Sequence, residues 1–275
     1  MLLFFFGFSG LGIIFNPIQP ENNSSMSTSK ICVDWGNTLV KIALFDENDK
    51  ITERYSLKAE EVVDQLHREI APRRSFSGAI VSSVTNQHHE LVEALRELTP
   101  LVIVLDNKTS LPILNAYSSA ESLGADRVAL ACAAYGAHPD KNSLVISVGT
   151  CITYNFIGKN RTFRGGAISP GLQMRLTAMH EHTAKLPSVK VDGDLMLVGY
   201  DTESCMRSGA IFGAAAEIDG MIAMYESQYP DFNAILTGGD APILAGKLKN
   251  KIFADPEILM KGLNQILKHN VPKAR

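Results

Sequence analysis

The sequence predicts an α/β fold made of two tandem copies of one mixed-sheet domain, with a cleft between them. Two observations carry this. The stretch "ICVDWGNTLVKIALF", from Ile31 to Phe45, sets a glycine turn between two apolar, β-rich runs, and "SLVISVGTCITYNFI", from Ser143 to Ile157, repeats the arrangement. Asp34, Gly36 and Asn37 of the first stretch then correspond, without a gap, to Ser147, Gly149 and Thr150 of the second. Farther along, each stretch is followed by an apolar strand ending in small polar residues, "GAIVSSVTN" from Gly78 and "AILTGGDAP" from Ala234. The predicted division is an N-terminal extension over 1–29, a first domain over 30–140 and a second over 141–275.

The elements follow in order. "ICVDWG", "VKIALFD" and "ITERYSL" are short strands separated by turn residues such as "ENDK", an antiparallel meander. A helix from about Ala59 to Ile70 would bury Val62, Val63, Leu66 and Ile70, and the apolar run "GAIVSSV" reads as a buried strand. A second helix, "QHHELVEALREL", leads into a further strand, "LVIVLD". Three strands, helix, strand, helix, strand is an order that resembles a ribonuclease-H-like domain. A loop from Leu111 feeds a helix that begins near Ala125 and stops before Pro139, and the cleft should lie beside it. In the second half, "GGAISPGLQMRLTAMHEHTAKLP" predicts a tight strand-to-helix passage at Pro170, with His180 and His182 on a helix surface or interface. The helix "ESCMRSGAIFGAAAEIDGMIAMY" follows, capped by Thr202 or by Asp201.

With 275 residues, 45% of them hydrophobic, the chain can bury a full core. A net charge of −3 and scattered Lys and Arg leave no basic stripe for a phosphate backbone, so no nucleic-acid partner is expected. Cys32, Cys132, Cys151 and Cys205 lie far apart, which argues against a disulfide framework or a zinc site and suits a reducing cytoplasm. The apolar run "LLFFFGFSGLGIIF" has no Lys or Arg before it, is too short for a membrane span and lacks a clear cleavage site. Met26 is the expected start, and the residues before it are expected to be disordered or non-native; no membrane partner is expected.

A strand ending in Asp-x-Gly that turns at once into another strand leaves backbone N–H groups pointing out of a tight bend, which can hold phosphate oxygens. Gly36 and Gly149 let an anion approach the main chain closely; Asn37, Thr38 and Thr150 add short donors, Lys41 adds positive charge, and Asp34 offers a hard carboxylate suited to Mg²⁺ or its waters. Either turn alone is also what an ordinary hairpin carries. Two matching turns, with "TGGD" at Thr237 to Asp240, point to nucleotide binding between related domains. No GxxxxGK[ST] is present, which excludes a P-loop.

In order along the chain, "DWGNTLVK", "GADR", "VGTCIT", "GGAISPG", "TESCMRSG" and "TGGD" resemble the type III pantothenate kinases. The resemblance implies the actin-like ATPase superfold, a homodimer, and transfer of phosphate from ATP, with Mg²⁺, to pantothenate to give 4'-phosphopantothenate in the first step of coenzyme A synthesis. It implies that Asp126 accepts the proton of the pantothenate hydroxyl, that Arg127 fixes the substrate or the developing charge, and that Gly124, Ala125, Tyr117 and Thr202 line the same pocket. On the residues alone, Asp126 could instead charge a helix N-terminus, and Tyr117 could be a core aromatic. Where the family usually begins its second glycine turn with an aspartate that helps hold K⁺ or NH₄⁺, this chain has Ser147, which implies a weaker monovalent-cation site. Two other readings compete: a phosphohydrolase of the same superfold, and a nucleotide-binding regulatory or accessory protein without kinase activity.

Overall fold

The computed structural model describes residues 28–271 apart from residues 37, 73 and 84–87. The expected extension lies outside the described residues up to residue 27; β1 (Thr28–Trp35) takes in its last two positions.

β1, β2 (Val40–Phe45) and β3 (Ile51–Leu57) form the antiparallel meander. The helical stretch that follows is composite. A 3₁₀ turn (Ala59–Glu61) opens into α1 (Val62–Gln65) and ends as a π-turn (Leu66–Ile70), closed by the Ala71 N–H on the Leu66 carbonyl at 2.8 Å. It buries Val62, Leu66 and Ile70, as the four-residue spacing requires. β4 (Ser75–Ser83) lies parallel to β1, and after α2 (His89–Leu98) comes β5 (Val102–Val104), parallel to β4. The first sheet therefore has five strands in the order β3-β2-β1-β4-β5.

The second half repeats that order. β7 (Asn142–Val148), β8 (Cys151–Ile157) and β9 (Thr162–Pro170) are an antiparallel meander, with β10 (Phe232–Thr237) and β11 (Phe253–Ala254) added in parallel on the other side. A short β6 (Leu114–Asn115), drawn from the predicted loop, extends the sheet beyond β9. Two sheets with one strand order are the duplicated ribonuclease-H-like arrangement that the sequence predicts. The gap-free match between the hairpins holds only as far as the glycine. The Trp35–Val40 pair closes around residues 36–39, whereas the Val148–Ile152 pair closes around residues 149–151, so the second turn is shorter by one.

Strand alternation sorts the side chains into layers. Ile31, Val33 and Trp35 face outward with α1 and α2, while Cys32 faces inward with Ala43, Phe45 and Ile80. Leu144, Ile146 and Val148 face outward toward α5 (Thr202–Gln228) and α6 (Ala241–Ala245), and Val145 faces inward. Between the sheets lie α3 (Ala125–Ala137) and α7 (Ile258–Asn270). They are exchanged: α3 packs on β7 and β8, and α7 packs on β1 and β4. Small residues let them approach, since a Cβ on Gly262 would overlap the Ala129 carbonyl. Among the described residues no helix is long and apolar enough to cross a membrane.

Candidate functional site

The period of two that buries Cys32 and Val145 on the inner faces puts Asp34 and Ser147 on those same faces, toward the layer that contains α3. Asp126 sits in the first turn of α3 and folds back over Gly124, the residue that caps the helix. The sequence thus brings two carboxylates together from separate elements. Burial first, then the charge of Asp126, pushes the Asp34 carboxyl up to about 6, with Lys41 opposing from its paired position on β2. Burial also raises Asp126, against the pull of the Arg127 backbone N–H and guanidinium. Both groups are half-buried.

Arg127 is 6% exposed. Its Nε donates to Asn155 Oδ1 at 2.6 Å, and its guanidinium lies 5.6 Å from the Tyr117 ring centre and 6.0 Å from that of Phe163. Asn155 is held in turn, its amide donating to the Val145 carbonyl at 3.2 Å and to Thr153 Oγ1 at 3.0 Å. A neutral amide and two aromatic faces thus orient the buried guanidinium. Tyr117 is half-buried and packs against Phe163 and Gly165, as a core aromatic would. Gly124 and Ala125 are half-buried beside Asp126.

The second glycine turn is built by backbone. The Gly149 N–H donates to the Cys151 carbonyl at 3.0 Å, the Gly171 N–H to the Thr150 carbonyl at 3.1 Å and the Asp240 N–H to the Val148 carbonyl at 3.1 Å. Gly238, at φ +101°, lies against the Val148 main chain where a Cβ would overlap it. The "GGAISPG" and "TGGD" segments therefore converge on "VGT", while Gly149 and Gly239 face open space. A cavity of about 550 Å³ opens beside Asp240, lined also by Gln173, Lys190, Gly193, Ile211 and Ile243. In the first turn the Gly36 N–H donates to the Leu39 carbonyl at 3.2 Å; Thr38 and Lys41 are exposed, and Asn37 lies outside the described residues.

Asp201 caps α5, accepting the Ser204 N–H at 2.7 Å, so Thr202 is the exposed first residue of the helix and is not its cap. Sequence reasoning missed Asn155 and Phe163, which hold Arg127, and Ser82, whose buried hydroxyl lies beside Asp34 in the β1–β4 register and has no partner among the described residues. The run of small polar residues ending "GAIVSSV" was the available signal for Ser82. Nothing local marks the other two.

Residues 30–224 match the family model described as type III pantothenate kinase. The chain is 40% identical over 240 residues to the type III pantothenate kinase of Bacteroides fragilis strain YCH46, covering 87% of this chain and 98% of that one. It is 40% identical over 242 residues to the type III pantothenate kinase of Christiangramia forsetii, with the same coverage of each. Among solved structures, a Campylobacter jejuni protein described as a Baf family transcriptional activator superposes with a TM-score of 0.57 at 18% identity, covering 87% of this chain and 98% of that one. A Sinorhizobium meliloti protein described as a 2-dehydro-3-deoxygalactonokinase gives 0.55 at 12% identity, covering 90% and 98%. The structures speak for the fold, and the sequence relatives for the family: the chain belongs to the type III pantothenate kinases.

Proposed function

We propose that the protein transfers the γ-phosphoryl group of ATP to the primary hydroxyl of pantothenate, opening coenzyme A synthesis. The observation that carries this reading is the Asp34–Asp126 pair, with Asp34 two residues before the first glycine and Asp126 adjoining a buried Arg127. Asp126 accepts the hydroxyl proton as the phosphorus–oxygen bond forms, a role helped by a carboxyl raised toward neutral pH. Arg127 attracts the pantothenate carboxylate or the charge that develops during transfer, with Tyr117, Gly124, Ala125 and Thr202 shaping that pocket. Gly36, Asn37, Thr38 and Lys41 on one side and Gly149 and Thr150 on the other hold the triphosphate.

A divalent cation suits Asp34. The Asp126 charge raises the cost of ionising Asp34, the Ser82 hydroxyl paired with Asp34 has no partner among the described residues, and one or two carboxylates with phosphate oxygens are what Mg²⁺ usually takes. When bound, Mg²⁺ neutralises charge on the phosphates. A monovalent cation fits less well. Ser147 pairs with Thr153 and Thr237 on the adjoining strands, a set of neutral hydroxyls, and no step is assigned to K⁺ or NH₄⁺. Exposed apolar side chains at Ile168, Leu197, Val198, Tyr200 and Met224 support a homodimer, and four dispersed cysteines support a cytoplasmic enzyme.

A coupled ATP-consumption assay with Mg²⁺, run with and without pantothenate and across a panel of hydroxy acids, tests the proposal. Phosphate release that ignores pantothenate would make the protein a hydrolase. ATP binding without turnover on any acceptor would make it a regulatory protein.

A further inference from the structure

Glu217, midway along α5, stands at the centre of a polar knot that no step above uses. One carboxylate oxygen accepts from the Tyr154 hydroxyl at 2.8 Å and the Ser169 hydroxyl at 2.5 Å, and the other accepts from the Arg175 guanidinium. Arg175 also donates through Nε to the Pro170 carbonyl at 2.9 Å. The four side chains come from β8, β9, α4 (Leu172–Glu181) and α5. Burial alone would raise the Glu217 carboxyl, but the donors from Ser169, Arg175 and Tyr154 outweigh it and hold the group below its ordinary range, ionised at neutral pH.

The partners of Glu217 share one neighbour. Ser169 and Pro170 precede Gly171, and the Arg175 N–H closes the first turn of α4 on the Gly171 carbonyl at 3.0 Å. Gly171 is the residue that donates to Thr150, and a Cβ on it would overlap the Gly149 and Thr150 carbonyls. Cys151 and Pro170 are paired across β8 and β9, so the Ser169–Gly171 passage is the wall against which the second glycine turn is formed. An ion pair with side chains 22% and 29% exposed adds little net stability over apolar packing, while a fully partnered network fixes geometry closely.

We infer that Glu217 is a positioning residue for the nucleotide: through Ser169 and Arg175 it seats Gly171 under Gly149 and Thr150 and so sets where the open side of Gly149 and the Thr150 amide meet the phosphates. The inference rests on the kinase reading for its assay and on the structure for its geometry. Glu217→Gln keeps the size and removes the charge. It should raise the KM for ATP about tenfold, as loss of a group that orients site residues commonly does, and leave the KM for pantothenate within about twofold. It should also cut the rise in melting temperature produced by ADP. Equal changes in both KM values, or an unchanged ATP KM and ADP response, would overturn the inference. If Glu217→Gln does not fold, Ser169→Ala, which removes one donor to the same carboxylate, is read by the same criteria. A wild type that binds ADP yet never phosphorylates pantothenate would sink the kinase reading alone, since the ADP response still reports on Glu217.

Discussion

Replacing Asp34 by Asn should make the ligand-free protein more resistant to heat while removing its activity. Burial and the neighbouring Asp126 raise the Asp34 carboxyl from 3.8 to about 6. That difference corresponds to roughly 3 kcal/mol by which folding disfavours the ionised form. The folded carboxyl holds its proton more tightly than the unfolded one, so this group costs stability progressively as pH rises from about 4 to about 6. The cost is complete at pH 7.5, and about half of it is left at pH 5. Asp34→Asn should therefore melt roughly 6–12 °C above wild type at pH 7.5 and show a smaller gain at pH 5. Mg²⁺ with ATP should stabilise the wild type and not the variant. Calorimetry at the two pH values, with and without Mg²⁺ and ATP, is the assay. A variant that melts at or below wild type at pH 7.5, or whose advantage is the same at both pH values, would refute the idea that two carboxylates meet in a water-poor cleft.

Asp126→Asn should lower kcat by about 10²–10⁴-fold while ATP binding, measured by calorimetric titration, stays near wild type; unchanged turnover would remove Asp126 as the base. A Cβ on Gly149 meets nothing within 4 Å, so Gly149→Ala should fold with wild-type stability and still raise the KM for ATP several-fold, the mark of phosphates that approach the main chain. Gly262→Ala forces a methyl group into the Ala129 carbonyl and should cost about 1–3 kcal/mol in chemical denaturation. Replacing K⁺ by Na⁺ in the assay should change the rate little, because Ser147 supplies no carboxylate; a collapse of the rate would show that neutral oxygens suffice.

The first meander, the glycine hairpins and the helix from Ala125 were legible because their signals are local: alternation, turn residues and a Pro139 stop. The likeness between the halves survived in the strand order, although its register breaks after Gly149, where a hairpin can lose a residue without moving its strands. The competition between Thr202 and Asp201 for the cap of α5 could not be decided from type, since both residues are good caps; the Ser204 contact decides it. β6 and β11, of two residues each, carry too little pattern to be read. Asn155, Phe163 and Glu217 were invisible for a different reason. Each acts on a residue at least 28 positions away, and such pairings exist only once the sheets and helices are assembled.

The crossing of α3 and α7 has a consequence for biosynthesis. When the ribosome has finished the first sheet, the helix that will cover its inner face is still more than a hundred residues from being made, because α7 starts at Ile258. Cys32, Ala43, Phe45 and Ile80 share their cluster with α3 and gain the rest of their cover only with α7. A nascent chain arrested before Ile258 would lack that helix and be a ready client for chaperones.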